Sequence, residues 1–160
     1  MTGRHAMLAG CAVFSAALAL VLPGGCGRGT RTAKDAAMID RFGTYEVESS
    51  DVRIKVWKKP KSLVMFDVEA RSTGGPLFSG RAGSDAMRWF LYWSSAGDLW
   101  IYGEEGIFCW RKSPAGPYAR YVITPDNLDL VPQMPQPVFE RLPSCLREPW
   151  APLRAPAPKP

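Results

Sequence analysis

The strongest constraint on the fold is a series of short runs, between residues 43 and 123, in which apolar and polar residues alternate. Two of these runs are especially regular, with Val52, Ile54 and Val56 in the first and Val64, Phe66, Val68 and Ala70 in the second. A period of two places such residues on one buried face of a β-strand. About seven short strands joined by tight turns predict a mainly β fold, either a small antiparallel meander, a sandwich or a barrel.

The segments between these runs predict turns and loops. Residues 58–61, Lys-Lys-Pro-Lys, predict a hairpin tip, and residues 71–85, which include four glycines, predict a Gly-rich loop. Together with Lys55 and Trp57, the lysines of the tip form a basic group that can touch anionic lipid, lipopolysaccharide or an acidic polymer. The alternative is a solvated tip whose lysines discourage pairing at the edge of a sheet.

Aromatic residues are densest between residues 89 and 110. The candidate binding group consists of Trp89, Tyr92, Trp93, Trp100, Tyr102 and Trp110, and Phe108 lies beside it in the sequence. If one sheet face is exposed, Trp and Tyr side chains there can stack on sugar rings or hold an apolar partner. In the other interpretation these residues form the core and are stabilised by cross-strand aromatic pairs.

Residues 97–108, Gly-Asp-Leu-Trp-Ile-Tyr-Gly-Glu-Glu-Gly-Ile-Phe, predict a hairpin. The segment resembles one repeat of the sensor-type β-propellers, whose pattern is Gly-x-Leu-Trp-Ile-Gly followed by Gly-Leu. The pattern occurs once here, whereas a propeller needs about four or more blades, so it favours a hairpin only. A four-residue loop at positions 103–106 pairs Trp100 with Cys109, and a five-residue loop pairs Trp100 with Trp110.

The first 26 residues have the parts of an export signal. Arg4 and His5 precede an uncharged apolar stretch over residues 6–22, which is short for a transmembrane helix of about 20 residues. Residues 22–26, Leu-Pro-Gly-Gly-Cys, resemble the cleavage site of a bacterial lipoprotein signal. In that family a Leu and two small residues precede the Cys, whereas here Pro23 takes the expected place of the Leu.

This resemblance implies cleavage before Cys26, lipid on its thiol and new amino group, and a lipid-anchored protein of the bacterial cell envelope. With Gly27 in the next position, it implies the outer membrane if the cell is Gram-negative. The alternative is an ordinary secretory signal or an uncleaved anchor helix, with Cys26 an incidental thiol and the protein secreted or periplasmic.

The sequence therefore predicts four segments. Residues 1–25 form a signal peptide, residues 26–42 a lipid-anchored tether with a short helix near residues 35–41, and residues 43–145 a single β domain. Residues 146–160 form a Pro-rich tail that is expected to be disordered. A short helix is also expected to begin at Pro137.

Charge, histidine and cysteine content limit the chemistry. The net charge of +5 falls by one when Arg4 leaves with the signal, which does not indicate a nucleic-acid partner. The single histidine is His5, so a processed chain has no Ser-His-Asp or Cys-His nucleophile and no common zinc site, and we expect no metal or cofactor. Cys109 and Cys145 predict a disulfide in an oxidising compartment, with two unpaired thiols as the alternative.

These observations favour a non-enzymatic envelope lipoprotein whose β domain makes binding or structural contacts. Its expected partners are the membrane, through the lipid anchor, and an envelope protein or polysaccharide. One alternative is a glycosidase-like hydrolase that uses carboxylates alone, with candidates Asp67, Glu69, Asp98, Glu104 and Glu105. The other is a small-ligand-binding barrel whose cavity is lined by the aromatic group.

Overall fold

A computed structural model describes residues 29–114, 116–124 and 134–150 of this chain. The strands are β1 (Thr30–Ala33), β2 (Ala37–Ile39), β3 (Gly43–Val47), β4 (Val52–Lys59), β5 (Leu63–Ala70), β6 (Pro76–Ser84), β7 (Phe90–Trp93), β8 (Leu99–Gly103), β9 (Gly106–Lys112) and β10 (Tyr118–Val122). The helices are α1 (Gln136–Arg141) and α2 (Ser144–Trp150). The predicted signal peptide, Cys26 and residues 151–160 lie outside the described residues.

The ten strands form two five-stranded sheets that pack face to face. The front sheet has the order β1-β3-β4-β5-β6, and the back sheet has the order β10-β9-β8-β7-β2. Every pairing is antiparallel except that of β1 with β3. The predicted mainly β fold is confirmed as a sandwich rather than one closed sheet, and it has more strands than the seven expected. No helix in the described ranges is long and apolar enough to cross a membrane.

The main core lies between the two sheets. The front sheet contributes most of the residues predicted from the period-two pattern, with Val52, Ile54 and Val56 buried on β4 and Val64, Phe66 and Val68 buried on β5. Ile54 lies opposite Val68 and Val56 opposite Phe66, while Ala70, which was also predicted to be buried, is half-buried. The back sheet contributes Ile39, Leu91, Trp93, Leu99, Ile101 and Phe108. Because side chains alternate along each strand, this packing uses one face of each sheet.

The second face of the back sheet is also covered. Phe90, Trp100, Ile107 and Cys109 point away from the front sheet, and they pack with Ile123 and with the C-terminal residues Met134, Val138 and Leu142. The predicted short helix is confirmed as α1, which begins with a proline in its first turn and buries Val138. The back sheet is therefore the middle layer of the domain.

Residues 71–85 were expected to form a loop, and this prediction is wrong for most of the segment. Residues 76–84 form β6, which pairs with β5 across two register shifts. A Cβ atom on Gly80 would lie 2.8 Å from Cζ of Phe66, so this glycine makes room for a core ring. Gly80 and Gly83 are sites of close approach within a strand, whereas Gly74 and Gly75 lie in the turn before β6.

The predicted tether is wrong from residue 30 onwards. β1 adds to the front sheet with Thr30 beside Thr44, and β2 adds to the back sheet with Ile39 beside Leu91. The side chains of β1 are mostly exposed, so this strand carries no period-two signal in the sequence. The expected helix near residues 35–41 does not form. The expected disordered tail is also wrong at its start, since α2 continues to Trp150.

Candidate binding surface

The aromatic group is core rather than an exposed surface. Trp93 and Trp100 are fully buried, Trp89 and Trp110 pack against the main core, and Tyr92 and Tyr102 pack against the second cluster. Because the back sheet is covered on both faces, Trp93 and Trp100 are closed to a partner and the other four rings are partly buried rather than presented on an open face. The prediction that the group forms a binding surface, or lines a ligand cavity, is therefore wrong.

The register of the β8–β9 hairpin decides between the two pairings that the sequence left open. Trp100 pairs with Cys109 and Tyr102 with Ile107, as the four-residue loop predicts. This register places Trp100 and Cys109 together in the second cluster. The indole N–H of Trp100 is buried there and has no hydrogen-bond partner among the described residues.

Cys109 and Cys145 are free thiols in the structure, so the predicted disulfide is not present. Cys109 is fully buried beneath α1, whereas Cys145 is exposed in the first turn of α2. Burial raises the pKa of the Cys109 thiol far above its usual value, and nearby Asp98 adds to this effect. The position of Cys109 in an apolar cluster therefore keeps it protonated and unreactive.

The five candidate carboxylates fall into three places. Asp98 is buried in the turn between β7 and β8, where burial raises its pKa and Arg111, 3.7 Å away, opposes this shift. Glu104 and Glu105 occupy the exposed β8–β9 turn, where both form ion pairs with Arg81. Asp67 and Glu69 lie two residues apart on β5, on the outer face of the front sheet.

That outer face, which we call the polar face, carries a ladder of ion pairs. Arg53 contacts Glu46 on β3 at 2.8 Å and Glu69 on β5 at 3.2 Å, and Lys55 contacts Glu69 at 3.0 Å. The hydrogen bond from Lys55, aided by the one from Arg53, lowers the pKa of Glu69. The face is thus lined with fixed charges of both signs across neighbouring strands.

Trp57 is the large aromatic residue of the polar face. Its side chain is 41% exposed, and its indole N–H donates to Oδ2 of Asp67 over 2.8 Å. Trp57 pairs with Met65 on the adjacent strand, and Lys55 pairs with Asp67. The hydrogen bond fixes the orientation of a ring that is open to solvent, beside one cation and one carboxylate.

A shallow depression of about 460 Å³ adjoins this arrangement along the β5–β6 edge. Its lining residues include the charged Lys55, Asp67 and Glu69, the hydroxyl-bearing Ser79 and the apolar Leu77. Small-molecule sites usually occupy about 300–1,000 Å³, so the volume is sufficient for a ligand. Beneath the depression, the ring of Phe78 packs against the main core and stacks on Trp110, with ring centroids 4.8 Å apart.

No family model, curated protein or solved structure matches this chain. Among the described residues, no three His, Cys, Asp or Glu side chains come together as a metal-ion site. The charged groups of the depression can instead exchange hydrogen bonds with a polar organic ligand.

Sequence reasoning found part of this surface. It named Lys55, Trp57, Asp67 and Glu69, but it assigned them to a basic group and to a list of acids rather than to one face. It missed Arg53, although the period-two pattern of β4 places Arg53, Lys55 and Trp57 together opposite the buried valines. It also missed Leu77 and Ser79, because the glycines of residues 71–85 predict a loop there.

Proposed function

We propose that this chain is an envelope lipoprotein anchored through Cys26, whose β-sandwich is a non-enzymatic domain that binds polysaccharide on its polar face. The observation that carries the binding role is the exposed Trp57 ring, held by Asp67 at the margin of a depression lined by Lys55 and Glu69. The anchor rests on the lipoprotein-like signal that ends at Cys26.

The chemistry of the polar face suits a polyhydroxylated ligand. Each sugar hydroxyl both donates and accepts a hydrogen bond, so it can satisfy a carboxylate and an ammonium group at once. Asp67 and Glu69 supply acceptors, Lys55 supplies a donor, and Ser79 supplies both. The apolar face of a sugar ring can then lie against Trp57, as amphipathic aromatic side chains allow.

A hydrolase is the second candidate, because Asp67 and Glu69 line the same depression. Two carboxyl groups of a glycosidase stand about 5–10 Å apart, and residues two apart on a strand meet this requirement. A general acid also needs a raised pKa, whereas that of Glu69 is lowered by Lys55 and Arg53. Asp67 already accepts the indole N–H of Trp57. This surface is therefore better suited to binding than to protonating a leaving group.

The test is binding of the mature protein to polysaccharide extracted from the native envelope, and affinity electrophoresis measures this binding. Trp57→Ala should weaken binding about tenfold, in line with the loss of one aromatic contact. Phe42→Ala is the matched control, since Phe42 is equally exposed at 42% but lies outside the polar face, and it should bind like the wild type.

Equal binding by Trp57→Ala and the wild type would contradict the proposed site. The length of the polysaccharide chains is measured in the same samples. If the wild type shortens the polysaccharide chains and Glu69→Gln does not, the protein is a hydrolase rather than a binding domain.

A further inference from the structure

The direction of the strands gathers several separate segments at one end of the sandwich. β1 and β3 run parallel, and β4 is antiparallel to β3, so the beginning of β1, the turn before β3 and the β4–β5 hairpin tip share one end. The connection from β6 to β7 lies there as well, because Ser84 pairs with Leu63. We call this the proximal end, and the opposite end the distal end.

The register fixes how far the hairpin tip projects. Thr30 lies level with Thr44, and Thr44 lies level with Lys55. Lys59 is four residues further along β4, which corresponds to about 13 Å in a strand. Cys26 is four residues before Thr30, and four extended residues span at most about 14 Å. Cys26, which would carry the lipid, can therefore lie at most about as far beyond Thr30 as Lys59 does.

The proximal end carries unbalanced positive charge. The acids at this end have cationic partners, since Asp40 contacts Arg141 and Asp85 contacts Lys58. Glu104 and Glu105, in the β8–β9 turn that the strand directions place at the same end, both contact Arg81. In contrast, Lys59, Lys61 and Arg88 are exposed, and they form no ion pair within the described residues. Such cations interact favourably with the phosphates of an anionic bilayer.

The same end also carries exposed apolar side chains. Phe42 is 42% exposed in the turn before β3, where its ring contacts Trp89 with centroids 5.5 Å apart. Met87 is 55% exposed in the connection between β6 and β7. Apolar and aromatic side chains beside Lys and Arg are typical of surfaces that settle into the headgroup region of a membrane.

From these relations we infer that the proximal end docks directly onto an anionic phospholipid bilayer, with Lys59, Lys61 and Arg88 on the headgroup phosphates and Phe42 and Met87 at the interface. The inference rests on the proposed lipid anchor. Docking gives the domain a fixed orientation instead of a free tether. The proximal end contacts the bilayer, and the distal turns face away from it.

Lysine labelling of the full mature protein tests this orientation. The protein is reconstituted in vesicles of phosphatidylglycerol and phosphatidylethanolamine, or of phosphatidylcholine alone, and is treated with a membrane-impermeant amine reagent. Peptide mass spectrometry then compares Lys59 and Lys61 with Lys34 and Lys112, which are exposed at the distal end. In the anionic vesicles we expect labelling of Lys59 and Lys61 to fall at least about threefold, while Lys34 and Lys112 do not change.

The inference would be overturned if the labelling of all four lysines changed to the same extent between the phosphatidylcholine vesicles and the anionic vesicles. A matched pair of variants provides the second arm, with Lys59→Gln/Lys61→Gln at the proximal end and Lys34→Gln/Lys112→Gln at the distal end. Only the proximal variant should increase labelling of Lys58 in anionic vesicles, and an equal increase in both would also overturn it.

Failure of the anchor is recognised separately from the intact mass of the protein before reconstitution. If the mass shows no lipid, the anchor fails, and the same labelling is carried out on protein bound to anionic vesicles by its charges. If this protein binds the anionic vesicles and its Lys59 and Lys61 are protected from labelling, the proposed docking surface is supported without the anchor. Absence of binding would reject it.

Discussion

A Cβ atom placed on Gly103 would lie only 1.8 Å from the carbonyl oxygen of Ala82. Gly103 ends β8 in the back sheet and Ala82 lies in β6 at the edge of the front sheet, so the two sheets meet backbone to backbone at this corner. Gly83, with a φ of +142°, lies beside the same contact. The glycines thus set how closely the sheets approach.

Gly103→Ala should therefore destabilise the domain strongly. Relief of the overlap requires a backbone shift, because the atom that Cβ meets is not part of a flexible side chain. We expect a loss of about 3 kcal/mol or more in the free energy of unfolding, measured by urea denaturation. Gly116→Ala is the control, since Cβ there meets no atom within 4 Å, and a similar loss in both variants would contradict the account.

Leu142→Ala should show that the C-terminal segment is part of the core. Leu142 is 1% exposed and packs in the cluster that contains Trp100 and Val138. Truncation of a buried leucine costs about 2–5 kcal/mol, and thermal or urea unfolding measures this loss. Gln136→Ala, at an exposed position of α1, should change stability little; equal effects would mean that α1 does not cover the back sheet.

The two described cysteines should differ in reactivity. In the native protein a maleimide should label Cys145 rapidly and Cys109 only after denaturation, because Cys109 is buried and its pKa is raised. Peptide mass spectrometry distinguishes the two sites. If both resist labelling until a reductant is added, and the intact protein is lighter by two hydrogens, the thiols are joined and the free-thiol arrangement is wrong.

Asp98→Asn should stabilise the protein more at neutral pH than in acid. Burial raises the pKa of Asp98 above its usual value, and Arg111 only partly opposes this. A raised pKa means that the folded state binds the proton more tightly, so the contribution of Asp98 to stability is favourable at low pH and is lost as pH rises through the folded pKa.

The variant and the wild type are compared by urea denaturation at about pH 3.5 and pH 7. The backbone N–H of Asp98, which donates to the hydroxyl of Ser94, is unchanged by the substitution. A larger gain at the acid pH would have the wrong sign and would contradict the assigned environment.

Much of the fold was predictable where a strand has one buried face. Val52, Ile54 and Val56 follow the alternation that the sequence shows, and the β8–β9 hairpin follows its glycines. β1 was not predictable, because its side chains are exposed and its stability comes from backbone pairing with β3. β6 was not predictable either, since the close contacts that require Gly80 and Gly83 are with residues distant in the sequence.

The candidate site was less predictable than the fold. The sequence names Trp57 and Asp67 but does not show that their side chains share a hydrogen bond, which depends on the register of β4 against β5. The aromatic group had two open interpretations, because coverage of the back sheet by Met134, Val138 and Leu142 follows from tertiary packing. A list of residue types cannot indicate which sheet face will be covered.

The most direct test of the proposed envelope lipoprotein is fractionation of cells that express the wild type or Cys26→Ser. The wild type should be in the membrane fraction, and its intact mass should correspond to a chain that begins at an acylated Cys26. Cys26→Ser should move to the soluble fraction or remain as the unprocessed precursor without lipid. A wild-type chain without lipid, or a substituted chain that is processed and fractionates as the wild type does, would contradict the account.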